Sequence, residues 1–474
     1  VENLNPPEAA RARPVGNYLA SDTIAAVSSA VGGAISIVRV SGPSVRLVLG
    51  RLAPRATATP RKLERARLEG PSGKALDDAL VVFFANPESF TGEDMLELHL
   101  HGGAFTAHSV MENLSQLGAR QALPGEFSFR AVRNGKLSLS QAEAVADLIQ
   151  ASNEGAVSLA LEKLSGAQNA ILEEFAQELR SLAALAEAGI DFSDQDLDEV
   201  SLPSLRKRLG AIRERLHSLS GSYERGMRIQ DGIGVAFVGL PNAGKSSFFN
   251  SLLGEDRSIV SEMAGTTRDV IREKLTLRGR HASVTLRLED TAGLRVADNA
   301  VEQEGVARSH QSAASADIIL LVVDPGHSLD ALAEVWKELT APLDRVFAII
   351  TKTDVALPEQ IRAARRKLAA WGISKILEVS SVSGAGISSA AIEIAAFCET
   401  LAARQSGEIL LTRLNQVTAA KAALADLERA AKAPEIELFA ADLKQALHSL
   451  SPLIGQTLPD DILGKIFSEF CIGK

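Results

Sequence analysis

Residues Gly239 to Ser247 read GLPNAGKSS, and Gly239, Gly244, Lys245 and Ser246 fit the pattern G-x-x-x-x-G-K-[ST]. An apolar, strand-like run, GVAFVG, precedes it, and Phe248, Phe249, Leu252 and Leu253 follow at helical spacing. A strand, a glycine loop and a helix in that order make a phosphate cradle. The glycines let backbone N–H groups approach an anion, and the helix N-terminus adds positive potential. Asn242, Ala243, Gly244, Lys245, Ser246 and Ser247 are the expected phosphate-loop contacts. Lys245 is placed to bridge the β- and γ-phosphates and Ser246 to ligate Mg²⁺.

Further signals follow in order. Thr266-Thr267-Arg268-Asp269 offers Thr267 to Mg²⁺ and the γ-phosphate, with Ser261 and Thr266 counted among the nucleotide contacts. Asp290-Thr291-Ala292-Gly293 ends an apolar run, and Gly293 can turn its N–H toward the γ-phosphate. Thr351-Lys352-Thr353-Asp354 ends another, and the Asp354 carboxylate can accept from the N1 and N2 donors of guanine, with Lys352 beside it. This order reads as a GTPase. Thr351 stands where such motifs carry asparagine, and the later loop reads Ser380-Ser381-Val382; weakened affinity with retained guanine preference is expected. Leu294 occupies the place where a water-orienting glutamine is common, so another group must hold the water. Glu302 is a candidate, set against its reading as a solvated helix residue.

Outward from this module the texture changes. From Ile233 to Glu399, strands such as VTLRLED, IILLVV, VFAIIT and ILEVS alternate with helical segments, which predicts a doubly wound α/β sheet. Alanine- and leucine-rich helical stripes flank it: Ile171, Phe175, Leu179, Leu182 and Leu185, then Leu202, Leu205, Leu209, Ile212, Leu216 and Leu219, and later Phe439, Leu443, Leu447 and Leu450. The economical arrangement is an α/β domain inserted into one helical domain. Between Asp22 and Leu139, the runs AISIVRV, ALVVFF and MLELHL alternate with the turns Gly32-Gly33 and Gly102-Gly103, which predicts a compact α+β domain. The expected division is a flexible tail over 1–20, an α+β domain over 21–139, helices over 140–230, the GTPase domain over 231–398, and helices again over 399–474.

The 474 residues are 46% hydrophobic and 23% charged, with a net charge of −9. That excludes disorder as the main state and any nucleic-acid binding by the field of the whole chain. No apolar run reaches the ~18 residues of a membrane span. The N-terminal residues lack the apolar core of a secretory signal, and two cysteines, Cys398 and Cys471, suit a reducing cytosol, so a cytoplasmic location is expected. Arg206, Lys207, Arg208, Arg213, Arg215, Arg225 and Arg228 form a basic stretch, readable as a tRNA or partner face or as a solvated helix surface. His99 and His101 share one face of a strand without an evident third metal ligand.

SFTGEDMLELHLHGG, LPGEFSFRAVRNGKLSLSQAEAVADLI, GLPNAGKSS with GTTRD, DTAGLR and the terminal FCIGK together resemble the MnmE (TrmE) family of tRNA-modification GTPases, from about Ser21 to Lys474. The resemblance implies an N-terminal folate-binding and dimerisation domain, a discontinuous helical domain and an inserted P-loop GTPase domain. It implies a homodimer that works on tRNA with an MnmG/GidA-like partner using FAD and NADH. The product is an aminomethyl or carboxymethylaminomethyl group at C5 of the wobble uridine, with the one-carbon unit drawn from 5,10-methylene- or 5-formyl-tetrahydrofolate. Hydrolysis is implied to be activated by dimerisation and by K⁺ held by Asn242, Ser261, Met263 and Thr266, with Glu302 supporting the water. Read without the resemblance, Asn242 is a turn former. Folate contacts carry over onto Arg39, Glu97, Lys136 and Lys474. The loop before Arg39 reads SSAVGGAIS and lacks the family's P-G-R-G-G element. Cys471 reads either as a reactive thiol near the folate or as a buried thiol beside Phe467 and Phe470. The alternative to the whole is an RNA-binding regulatory or assembly GTPase without modification chemistry.

Overall fold

The computed structural model describes residues 18, 21–191, 200–254, 274–288, 316–338, 342–404, 408–454, 466–468, 470 and 472–473. By contacts the chain divides into two units: Val1–Ile149 with Lys163–Gln177 and Leu450–Lys474, and Gln150–Glu162 with Glu178–Ser449. No helix among the described residues is long and apolar enough to cross a membrane.

The first unit opens with β1 (Ile24–Val27), β2 (Ile35–Ser41), α1 (Val45–Leu52), β3 (Leu63–Glu69), β4 (Ala75–Phe84), β5 (Met95–His101) and α2 (Ala104–Gln116). It continues through β6 (Arg120–Gln121), α3 (Glu126–Arg133) and α4 (Leu139–Gln150). The strands form one sheet in the order β3-β4-β5-β2-β1-β6, antiparallel except where β1 meets β6. Period-two alternation sorts its faces. Val38, Val40, Leu96, Leu98 and Leu100 are buried under Val45, Val48 and Leu52 of α1 and Val110 and Leu114 of α2. The other face therefore carries the alternate residues, and register sets Arg39 of β2 directly against Glu97 of β5. The last described residues return to this unit: Ile472 bridges Pro124, and Phe467 and Phe470 pack with Phe129, Leu139 and Ala142.

The remaining elements are α5 (Glu154–Leu164), α6 (Ala167–Asp191), α7 (Leu202–Gly221), α8 (Tyr223–Gln230), β7 (Ile233–Val238), α9 (Lys245–Gly254), β8 (Lys274–Arg278) and β9 (Ser283–Leu288). After these come β10 (Ile318–Val323), α10 (Leu329–Glu338), β11 (Val346–Ile350), α11 (Pro358–Ala370), β12 (Lys375–Glu378), α12 (Ile387–Leu401), α13 (Leu414–Lys432) and α14 (Ile436–Ile454). Within the second unit, α7 packs against α13, so helices on either side of the sheet region in sequence meet in space. On α7 the buried residues are Leu205, Leu209, Ile212 and Leu216. On α6, Phe175, Leu179 and Leu182 are buried as expected, but at the start of the stripe Ile171 is 38% exposed and Leu172 is buried in its place.

Strands β7 to β12 form a sheet in the order β12-β11-β10-β7-β9-β8, parallel except for β8. Strands β10 and β11 are buried along their whole length, as expected where helices cover both faces. Phe248 and Leu252 of α9 and Ile387 and Ile394 of α12 line one face; Leu332 of α10 and Ala364 and Leu368 of α11 line the other. The order reverses at β7, whose neighbours are β9 and β10. A crevice at the carboxyl end of β7 is where such sheets bind ligands. Residues 239–246 leave from that end.

Candidate functional site

The phosphate loop is held in conformations that few side chains adopt. Gly239 and Gly244 have φ of 151° and 95°, and a Cβ on Gly239 would lie 2.3 Å from the Val322 carbonyl oxygen. Asn242 also has positive φ, 59°, which asparagine tolerates better than most residues. Lys245 begins α9, and its Nζ donates to the carbonyls of Gly239 and Leu240 at 2.9 Å each. Among the described residues no carboxylate pairs with it. Partial burial, which strips water from the charged form, pushes its pKa down. Ser246 sits in the first helical turn, where the helix end favours anions.

Thr351 and Lys352, of the segment expected to read the base, contact this loop. Lys352 Nζ donates to the Asn242 carbonyl at 2.9 Å and pairs with Asp324 Oδ2 at 2.7 Å. Burial alone would raise the Asp324 pKa, but the bonds from Lys352 and the Gly326 N–H outweigh it and hold the carboxyl below its ordinary value. Asp354 is exposed, and its Oδ1 accepts from the buried Ser380 hydroxyl at 2.7 Å. Ser380 thus orients the carboxylate expected to read guanine. The sequence offered the loop 380–382 as a weak match, and its first serine turns out to carry the contact. Asp324 was not singled out, although its place at the carboxyl end of a buried parallel strand was a signal.

Ser261, Met263, Thr266, Thr267, Asp290, Thr291, Ala292, Gly293 and Glu302 lie outside the described residues, as do Cys471 and Lys474.

In the first unit, Arg39 donates from Nε and Nη2 to Glu97 Oε1 at 3.0 and 2.7 Å, and its guanidinium lies over the rings of Phe90 and Phe127 at 5.5 and 5.8 Å. His99 Nε2 stands 3.6 Å from Glu97 Oε2. Lys136 is exposed, and a Cβ on Gly92 would lie 3.1 Å from its Cγ, so it rests on the turn leading into β5. A Cβ on Gly473 would lie 2.6 Å from the Val27 carbonyl, and Val27 pairs with Val38, next to Arg39. Segments far apart in sequence thereby lie against the paired strands β1, β2 and β5.

Beside them is a cluster the sequence did not reveal. The fully buried Arg130 meets Asp22 Oδ1 at 2.6 Å, Glu93 Oε2 at 3.1 Å and Glu126 Oε1 at 3.2 Å, while Arg120 bridges Asp22 and Glu126. Burial would raise the Asp22 pKa, but hydrogen bonds and charge from Arg120 and Arg130 prevail and lower it.

The basic stretch is mostly engaged internally. Arg206 donates to the Ala433 carbonyl, Arg215 pairs with Glu178, Arg225 with Glu408 and Arg228 with Asp317. Lys207, Arg208 and Arg213 remain exposed. A cavity of about 470 Å³ lined by Asn153, Arg228, Thr285, Glu399 and Arg404 lies at the end of the β7 sheet opposite the phosphate loop.

Residues 139–471 match the family model for the MnmE helical domain, and residues 23–136 match that for the GTP-binding protein TrmE N-terminus. The chain belongs to the MnmE (TrmE) family. It is 39% identical over 463 residues to the tRNA modification GTPase MnmE of Thiobacillus denitrificans, covering 96% of this chain and 98% of that protein. It is 36% identical over 455 residues to the protein of the same name from Neisseria gonorrhoeae, covering 95% and 99%. The MnmE helical match encloses the sheet β7–β12, and membership makes the chain a GTPase.

Proposed function

We propose that the chain is a K⁺-stimulated, dimerisation-activated GTPase whose work serves tRNA modification. With an FAD-dependent, NADH-using partner it installs an aminomethyl or carboxymethylaminomethyl group at C5 of the wobble uridine, drawing on a tetrahydrofolate one-carbon unit. The observation that carries the nucleotide half is Lys245, a half-buried cation whose bonds among the described residues go to the carbonyls of Gly239 and Leu240. An incoming β,γ-phosphate supplies the charge that the carbonyl dipoles lack.

The residues have the following tasks. Ser246 holds Mg²⁺ with Thr267, and Asp354, oriented by Ser380, accepts the guanine N1 and N2 donors. Asn242, Ser261, Met263 and Thr266 hold K⁺; an exposed side-chain amide on a positive-φ residue suits a hard cation brought to a dimer face. When bound, K⁺ offsets negative charge developing on the transferring phosphate. Glu302 orients the attacking water. In the N-terminal domain, Glu97 accepts pterin donors while Arg39 holds that carboxylate, and Lys136 and Lys474 attract the glutamate tail. The Arg39–Glu97 pair, backed by two aromatic rings, fits a flat heterocycle bearing both donors and acceptors. Residues 21–139 form this domain, 231–398 the GTPase domain, and 140–230 with 399–474 the helical domain into which it is inserted.

The test is GTP turnover in KCl against NaCl at matched ionic strength, over a range of protein concentration. Faster turnover in K⁺ that rises with protein concentration is expected. Equal, slow turnover in both salts would remove the K⁺ and dimerisation steps and leave an RNA-binding switch as the better reading.

A further inference from the structure

Position 351 departs from the asparagine of guanine-reading motifs, and the structure shows what the replacement does. Thr351 is 2% exposed at the end of β11. Its hydroxyl lies 2.6 Å from the Ala243 carbonyl oxygen and 3.2 Å from that of Val323, while its own N–H donates to Val323. A hydroxyl has one proton to give, and the shorter contact takes it. A Cβ on Gly244 would lie 3.3 Å from the Thr351 hydroxyl, so the side chain also closes the space over that glycine.

We propose that Thr351 is a positioning residue for the phosphate loop and reads no part of the base. A trans peptide is planar, with the carbonyl and the following N–H pointing in opposite directions. Drawing the Ala243 carbonyl toward Thr351 therefore aims the Gly244 N–H the other way. Among the described residues nothing accepts that N–H, whereas the neighbouring Ala243 N–H is taken up within the turn by Leu240 at 3.2 Å. An N–H left without an acceptor beside a phosphate-loop lysine is an anion donor. Lys352 holds the preceding carbonyl, that of Asn242, at 2.9 Å. Two successive residues of the base-reading segment thus fix two successive carbonyls of the phosphate loop, and the grip on phosphate is set before any nucleotide arrives. With its proton given to Ala243, Thr351 has none left for the acceptor edge of a purine.

The inference rests on residues 239–246 being a phosphate loop, and a baseless ligand separates the two claims. Binding of Mg²⁺–tripolyphosphate, GDP and IDP to the full chain is measured by calorimetry for the parent and for Thr351→Val, which keeps the shape and removes the hydroxyl. Tripolyphosphate and GDP affinities are expected to fall together by about tenfold, the usual scale for an orphaned buried hydrogen bond, with the GDP:IDP ratio unchanged. Thr351→Ser should match the parent and Thr351→Ala should match the valine variant, which covers the case where valine packs poorly. A changed GDP:IDP ratio with tripolyphosphate binding intact would make Thr351 a base reader and overturn the proposal. Unchanged affinities throughout would show the hydroxyl contact to be idle and overturn it as well. Failure of the parent itself to bind tripolyphosphate or GDP would instead overturn the phosphate-loop reading.

Discussion

Lys245, half-buried, and Arg130, fully buried, are both cations drawn away from water, one in each unit of the chain. Arg130 is fully buried among the carboxylates of Asp22, Glu93 and Glu126, with Arg120 closing the cluster. Lys245 has two carbonyl oxygens at 2.9 Å and, among the described residues, no carboxylate. A carbonyl dipole satisfies a donor but leaves the charge uncompensated, so burial lowers the Lys245 pKa. A cation supplied with its counter-ions is part of the architecture. One without them is a place for an anion.

The largest effect should come from Arg130→Met. It removes the cation and leaves three carboxylates facing one another with only Arg120 between them. Breaking a buried ion network from one side costs about 3–5 kcal/mol, read as a lower urea midpoint for unfolding. A loss below ~1 kcal/mol would put Arg130 in the class of weakly contributing surface pairs and break the comparison. Acid should act in the same direction. The folded pKa of Asp22 lies below its unfolded value, so its contribution is in force above roughly pH 4 and is lost as pH falls through the lowered folded value.

Lys245→Met should do the reverse. Among the described residues no counter-ion is orphaned, so the urea midpoint should move by less than ~1 kcal/mol in stability. GTP turnover should fall by ~10²–10³, the scale of removing one donor aimed at developing charge. A stability loss comparable to that of Arg130→Met would mean that Lys245 is structural too.

The two cations also differ in how far the sequence revealed them. Lys245 belongs to a contiguous motif, because a phosphate loop is one turn between one strand and one helix, and its residue types follow from local geometry. The parallel sheet was equally legible, since buried strands such as Ile318–Val323 are unbroken apolar runs. Arg130 could not be found that way. Glu126 lies one turn before it on α3, but Asp22 and Glu93 lie 108 and 37 residues away, and only tertiary folding brings those two to it. Register explains Arg39 and Glu97 likewise: 58 residues separate them, and the β2–β5 pairing puts them opposite. The helical stripe on α6 was misread by one position at Ile171, because a long alanine-rich helix offers two nearly equivalent apolar edges and packing chooses between them.

Arg39 and Glu97 are an intermediate case and should give the smallest effect. One cation meets one carboxylate, both contacts fall on Glu97 Oε1, and side-chain exposures are 23% and 16%. The pair is neutral as a whole, so neither partner needs a ligand to be stable, yet Oε2 takes no bond from Arg39 and can accept from one. Glu97→Gln keeps the shape and turns one end of the acceptor into a donor. That amide can still accept from Arg39, but it cannot also accept two neighbouring pterin donors, because its –NH₂ would face one of them. Affinity for 5-formyltetrahydrofolate should fall about tenfold, the scale of one lost hydrogen bond to a charged group, while the melting midpoint stays within a few degrees. Unchanged folate affinity would move the pterin contact away from Glu97. A large drop in melting temperature would place the pair with Arg130, as a cation already satisfied by its own chain.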